Sequence, residues 1–406
     1  MMAKRTLRVF LQDRHVADLQ SMKGNDIRCR YTAAALAHWS ANAAVLSCSL
    51  PLQRNAQPAE RFLRGLLPEG NHLLEAARLA RVSANDTYSL LARFGRDIAG
   101  ALVITETDNP GNGRWSSEVY QPDELVQEIE SLSTNGLALR DDSELSIAGI
   151  QNKLLLVQTK EGAWARPVHG QPSTHILKLD DAVRPGLVEA EHACLTLAHR
   201  VGLSASTTEF LEIGGYRCIV VERYDRVADQ FGNISRVHQE DACQALAIDI
   251  DAARGRGKYE QHGGPDFESI AKLFDRHALD AVTEKLALLD LAVFTAAIGN
   301  ADLHGKNVSL LHDEQSFITL APIYDCVPTA MWSTLRATSA MSIAGHFANV
   351  PTLTEIVTEA NRWGLPRPLA TTRASNLLNT IRTESTHLPP PLAHLIQSRT
   401  KQILNG

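Results

Sequence analysis

Within six positions, 302 to 307, the chain places Asp302, His304, Lys306 and Asn307 around a single glycine, Gly305. An acid, an imidazole, an ammonium and an amide so close together can move a proton, ligate a cation and hold an anion. Asp302 and Asn307 stand in a D-x-x-x-x-N relation, the spacing that sets a base carboxylate and a metal-binding amide around one phosphate in phosphoryl transfer. Taken singly, a loop aspartate and a turn asparagine are commonplace. Together they ask for a second oxygen ligand for a divalent cation, and for a cation facing the nucleotide phosphates. Asp325, 18 residues beyond Asn307, answers the first. Lys178, inside Ile-Leu-Lys-Leu, answers the second, although taken alone it reads equally well as an outward lysine on an edge strand. Glu191 in the segment that follows is its preferred ion-pair partner, with Glu189 as the alternative. His304 has two readings: it caps the C-terminus of the preceding helix, where the dipole favours it, or it contacts a phosphate or Asp302.

The elements around these residues are those that would position them. Apolar helical spacing over 286–298 delivers the chain into the loop, and apolar runs at 308–311 and 318–323 read as a hairpin leading to Asp325. Upstream, 145–157 reads as two strands joined by a turn that bends at Gly149. This turn lacks G-x-G-x-x-G and Walker A spacing and by itself is an ordinary hairpin. Its place just before Lys178 makes Gly149, Gln151 and Lys153 candidates for cradling phosphates. A strand at 217–222 then runs into Glu222-Arg-Tyr224-Asp225. That is either a strand end with a polar turn or a hinge whose backbone meets an adenine edge while Asp225 meets a ribose. Glu191-His192-Ala-Cys194 is set aside as a metal site, because adjacent helical side chains diverge.

The rest of the chain reads as scaffold. Residues 6–11 open a hairpin, and helical spacing dominates 60–91, with Ser83 and Asn85 offering N-caps for a helix through Phe94. A strand is expected at 99–105, and the Pro- and Gly-punctuated run 108–114 reads as a linker. Helices are expected at 122–132, 188–201, 239–250, 267–274 and 283–298, with amphipathic helix from 351 to 406 broken near Pro389. This gives three domains: 1–110, 120–225 and 226–406.

Composition sets limits. With 44% hydrophobic and 21% charged residues the chain is an ordinary globular one, and a net charge of −6 gives no basic footprint for nucleic acid. Six scattered cysteines without a C-x-x-C pair argue against a zinc site and a disulfide framework. The run 286–298 carries Asp290 and is too short to span a bilayer, so no membrane role and a cytoplasmic location are expected.

Several blocks resemble the HipA family, the serine/threonine kinase toxins of bacterial type II toxin–antitoxin modules. They are Ser-Ile-Ala-Gly-Ile-Gln-Asn-Lys (146–153), Thr-His-Ile-Leu-Lys-Leu (174–179), Val-Glu-Arg-Tyr-Asp-Arg (221–226), His-Gln-Glu-Asp-Ala-Cys-Gln (238–244), Lys-Tyr-Glu with Gly-Gly-Pro (258–265), Asp-Leu-His-Gly-Lys-Asn (302–307) and Tyr-Asp (324–325). Leu-Leu-Pro-Glu-Gly (66–70) and Gly-Arg-Asp-Ile-Ala-Gly-Ala-Leu (95–102) resemble the N-terminal subdomain that accompanies this core. The resemblance implies an α+β, protein-kinase-like two-lobed fold with ATP and Mg2+ as cofactors. It implies Asp302 as catalytic base, Asn307 and Asp325 as Mg2+ ligands, Lys178 as the ATP lysine and Ser146 as an inactivating autophosphorylation site. It further implies a protein substrate such as an aminoacyl-tRNA synthetase, and a helix-turn-helix antitoxin through which DNA is reached indirectly. Two departures stand out. Glu144-Leu-Ser146 replaces the paired serines of some relatives, and Leu303 follows Asp302 where glycine is usual. Two other readings compete with the kinase toxin: a catalytically silent kinase-like co-repressor, and a small-molecule or lipid kinase.

Overall fold

Alternating burial along Thr6–Leu11 and Arg14–Ser21 builds the first hairpin of the protein, turning at Gln12 and Asp13, both with positive φ. The structure is a computed structural model and describes residues 6–23, 26–110, 116–135, 153–168, 170–230 and 233–406. The hairpin lies in an antiparallel sheet ordered Gln57–Pro58, Ile27–Tyr31, Arg14–Ser21, Thr6–Leu11, Leu102–Thr105. Helices Glu60–Gly65, Gly70–Ala80 and Thr87–Phe94 contribute Phe62, Leu63, Leu73, Leu90, Leu91 and Phe94 to one core with Leu7, Val9 and Leu19 of the sheet. The last helix is capped one residue later than the sequence promised: Asp86 accepts from Ser89 N at 3.0 Å, not Ser83 or Asn85.

A second sheet runs Thr208–Ile213, Tyr216–Glu222, His175–Leu179, Lys153–Gln158, Trp164–Val168, Ser116–Val119. Leu154, Leu156, Leu177, Leu179, Cys218 and Val220 share a core with Leu125, Ile129 and Leu132 of helix Pro122–Asn135. His175–Leu179 is internal to this sheet, which removes the edge-strand reading of Lys178.

Compactness divides the chain into two units: 1–179 with 211–240 and 312–317, and 180–210 with 241–311 and 318–406. The sheets on either side of the expected linker at 108–114, of which 111–114 lie outside the described residues, therefore belong to one unit. The physical reason is a buried ionic knot. Arg226 Nη2 donates to Asp97 Oδ1 at 2.9 Å, and Ser173 donates to Asp97 Oδ2 from its hydroxyl at 2.8 Å and its N–H at 3.1 Å. Arg223 forks onto Asp225 at 2.9 and 2.8 Å, and Gly100 N–H reaches Asp225 Oδ2 at 2.8 Å. Arg226 also donates to the Gly100 and Ile98 carbonyls at 2.9 Å each. Burial raises the pKa of Asp97 and Asp225, but the arginines outweigh it and hold both carboxyls below the ordinary aspartate value.

In the second unit, helix Ala281–Ile298 is apolar on nearly every side, with Leu288, Leu289, Val293, Phe294 and Ile298 buried. Its one interior acid, Asp290, is answered by Arg373 of helix Arg367–Glu384 at 2.6 Å. Helices Phe267–His277, Leu353–Arg362 and Pro390–Asn405 complete this unit's scaffold, with Leu187–Arg200. The helix expected at 239–250 is instead strand His238–Asp241 followed by the short helix Ala242–Ala245. Asp241 and Gln244 form a capping box that starts the turn late, and Ala247 at φ 52° ends it. All six cysteines are free. No helix among the described residues is long and apolar enough to cross a membrane.

Candidate active site

Helix Ala281–Ile298 ends on Gly299, whose φ of 76° is the left-handed turn that closes the helix. A side chain there would also meet Ala330 Cβ at 2.8 Å. The chain then folds into a loop held at nearly every backbone group. Asn300 Oδ1 accepts from Asp302 N at 2.9 Å, and Ala301 N donates to Thr329 Oγ1 at 2.8 Å. His304 N donates to the Asp302 carbonyl at 2.8 Å, and Asn307 N to the His304 carbonyl at 2.8 Å. Gly305 N reaches the Lys258 carbonyl at 3.1 Å. A Cβ on Gly305 would lie 2.5 Å from Pro265 Cγ and 2.7 Å from Cys243 Sγ, so only glycine fits. Lys306 turns inward to a buried ion pair with Asp241 at 2.8 Å, and Tyr324 hydroxyl donates to the Lys306 carbonyl at 2.7 Å. Lys306 is thus an anchor of the loop.

Within this frame Asp302 and Asn307 are set in fixed relation. Asn307 Nδ2 donates to the Asp302 carbonyl at 3.1 Å, which makes the amide oxygen the atom suited to a cation. Tyr259 hydroxyl donates to Asp302 Oδ1 at 2.9 Å. The Tyr259 ring is itself held, with His304 edge-on at 5.2 Å and the Arg336 guanidinium over its face at 4.6 Å. Burial raises the pKa of Asp302, the Tyr259 hydrogen bond lowers it, and the negative charge of Asp325 raises it again. Lys258 and Arg336 oppose that rise, and the balance lies above the ordinary aspartate value. A carboxylate so placed is better matched to accepting a proton than a solvated one. Asp325 sits at φ 51°, a left-handed backbone that few non-glycine residues adopt. Tyr259, Lys258 and Arg336 were not assigned roles from sequence. Lys258 and Tyr259 lie in a block that matches the family, while nothing in the sequence marks Arg336.

The first unit holds the cationic group. Lys178 and Lys153 are direct partners across antiparallel strands, so two ammonium side chains share one face of the sheet. Both are half-buried. Glu222 ends the neighbouring strand opposite His175 and is exposed, and Tyr224 hydroxyl donates to Gln239 Oε1. Asp225 departs from the expected ribose contact: its side chain is only 3% exposed and both oxygens are engaged within the ionic knot. Glu191 is fully buried on its helix while Glu189 is only partly so, and it belongs to the second unit. Ser146, Gly149 and Gln151 lie outside the described residues.

The HipA-like C-terminal domain matches residues 145–385 and the HipA N-terminal domain residues 7–105. The chain belongs to the HipA family. This HipA-family chain is 36% identical to Y4mE of Sinorhizobium fredii, a candidate kinase, over 93% of this chain and 90% of that protein. It is 29% identical to the serine/threonine-protein kinase toxin HipA of Shewanella oneidensis, over 88% of this chain and 82% of the other. The solved complex of Shewanella HipA with HipB and operator DNA superposes with a TM-score of 0.79 at 25% identity, covering 98% of this chain and 96% of that one. The HipA-family chain accordingly has the α+β kinase-like fold and is a serine/threonine protein kinase.

Proposed function

We propose that the protein is an ATP- and Mg2+-dependent kinase toxin that phosphorylates a protein hydroxyl, with Asp302 as the base. The observation that carries this reading is the Tyr259–Asp302–Asn307 arrangement, in which a buried carboxylate of raised pKa is braced by a phenol and abuts a metal-competent amide. The residues fit the cofactors. Asp302 and Asp325 repel each other, a tension that a divalent cation relieves, and Asn307 and Asp325 offer the oxygens that Mg2+ prefers. Lys153 and Lys178 concentrate positive charge on one sheet face, as a polyphosphate requires. ATP supplies the phosphoryl group, and Mg2+ offsets the charge on it.

The protein's own part is positional. Asp302 accepts the proton of the attacking serine or threonine hydroxyl. Tyr259 fixes which carboxylate oxygen faces it, and Lys258 and Arg336 temper the local negative charge. By family inference, Glu191 is the ion-pair partner of the ATP lysine, and the Glu222–Tyr224 backbone is suited to an adenine edge. By family inference, Gly149 and Gln151 cradle phosphates and Ser146 is the self-phosphorylation site. His304, edge-on to Tyr259, packs the base's support.

The Shewanella complex with HipB and operator DNA supports a helix-turn-helix antitoxin as partner, with DNA reached through it. An aminoacyl-tRNA synthetase is the proposed class of substrate. Radiolabel transfer from ATP and growth arrest on expression test the core of the reading. Both are expected of the wild type and lost in Asp302→Ala; equal behaviour of the two in both assays would sink it. Phosphoproteomics after brief induction of the two versions identifies the substrate.

A further inference from the structure

Away from the catalytic loop, within the first unit, Cys48, Glu240 and His312 each offer a ligand atom, and these lie within 4.8 Å of one another. Glu240 is the hub. Its Oε1 accepts from Cys48 N at 2.8 Å and from His312 Nε2 at 3.1 Å, and its Oε2 accepts from Ser47 hydroxyl at 2.5 Å. His238 stacks on His312 with ring centroids 4.8 Å apart, and its Nε2 donates to the Leu46 carbonyl at 3.0 Å. The other nitrogen of each ring, Nδ1 of His238 and of His312, is buried without a hydrogen-bond partner.

A buried polar atom left unsatisfied costs about 1–3 kcal/mol, and here two lie side by side next to a thiol and a carboxylate. A purely structural Glu240–His312 hydrogen bond accounts for one contact of this cluster. It leaves both Nδ1 atoms unexplained, while the Cys48 thiol hydrogen-bonds the same Glu240 carboxylate.

We propose that Cys48, Glu240 and His312 bind a divalent transition-metal ion of the zinc class. One sulfur, one imidazole nitrogen and one carboxylate oxygen form a ligand set that suits zinc and poorly suits Mg2+ or Ca2+. Charge balances as well: a thiolate and a carboxylate together neutralise a dication, so a buried site is left with no net charge. On binding, the Cys48 S–H bond gives way to a sulfur–metal bond and its proton leaves to solvent. Glu240 ligates as carboxylate. His312 ligates as neutral imidazole through one ring nitrogen with its proton on the other. One proton is therefore released per ion. The fourth position falls to Ser47 hydroxyl or to a water. The three ligands stand at 48, 240 and 312, so no short-range spacing announces them, and the expectation of no zinc site rested on such spacing alone.

The test uses the full chain, stripped with a chelator and titrated with Zn2+ and with Co2+. The site predicts one equivalent of either ion, a thiolate-to-cobalt charge-transfer band and a melting temperature that rises with the ion. Cys48→Ser and His312→Gln should each weaken binding by more than about tenfold, with circular dichroism unchanged in the absence of metal. No stoichiometric uptake by the wild type, uptake without the charge-transfer band, or undiminished affinity in both variants overturns the proposal. Should a variant fail to fold, the wild-type cobalt spectrum decides, together with metal-dependent protection of Cys48 from alkylation read by peptide mass mapping.

Discussion

Asp225→Asn separates a ligand from a structural ion more sharply than any other single change. In the ionic knot three guanidiniums, of Arg223, Arg226 and Arg236, face two carboxylates, of Asp97 and Asp225. Asparagine keeps the shape but removes one negative charge, so the local excess rises from one positive charge to two in a site where Asp225 is only 3% exposed and Arg223 only 2%. Removing one partner of a buried ion pair costs about 3–5 kcal/mol, a large share of the roughly 5–15 kcal/mol that holds a protein folded. For a unit of this size that lowers the melting midpoint by roughly 10 °C. Urea and thermal melts followed by circular dichroism measure the loss, and the nucleotide KM of the surviving folded fraction should stay near wild type. The pH dependence has a definite sign. Asp97 and Asp225 have folded-state pKa values held below the unfolded value, which is near 4. Their stabilisation is full above that value and fades as the pH falls toward the folded-state values. Asp225→Asn should therefore show a shallower acid loss than wild type. A variant that melts like wild type while its nucleotide KM rises severalfold would refute the structural role and restore the ribose contact.

Tyr259→Phe removes a hydrogen bond that favours ionised Asp302, so the acid limb of kcat/KM should move upward by about one pH unit; an unmoved limb means the phenol does not brace the base. Gly305→Ala should abolish label transfer and cost about 1–3 kcal/mol in melts, because its Cβ has no room against Pro265 and Cys243. Lys178→Met should raise the nucleotide KM by roughly 10–100-fold with little change in melting, and an unchanged KM would remove Lys178 from the phosphate site.

Much of the site was legible because it is local in sequence. Asp302 and Asn307 are five positions apart on one loop, and the hairpin that carries Asp325 follows at once. Lys178 in an apolar run marked its strand, though only the sheet order showed that strand to be internal. What sequence could not convey depends on distant partners. Asp225 looked like a free polar residue at a strand end, and its arginines and Gly100 make it a buried ion. Tyr259 reaches Asp302 across 43 positions. The segment 239–250 has helical apolar spacing, yet the capping box of Asp241 lets a strand occupy its beginning. The Asp86 cap was missed by one residue because Ser83, Asn85 and Asp86 are all competent caps.

The left-handed backbone at Asp325 has an implication for engineering. A non-glycine residue in that region carries about 1–3 kcal/mol of strain, and Asp325 adds repulsion toward Asp302. Glycine at 325 would relax the first and abolish the second, so Asp325→Gly is expected to melt higher than wild type while transferring no phosphate. Screening variants of this protein for thermostability alone would reward that substitution, and the most heat-tolerant clones would include dead ones.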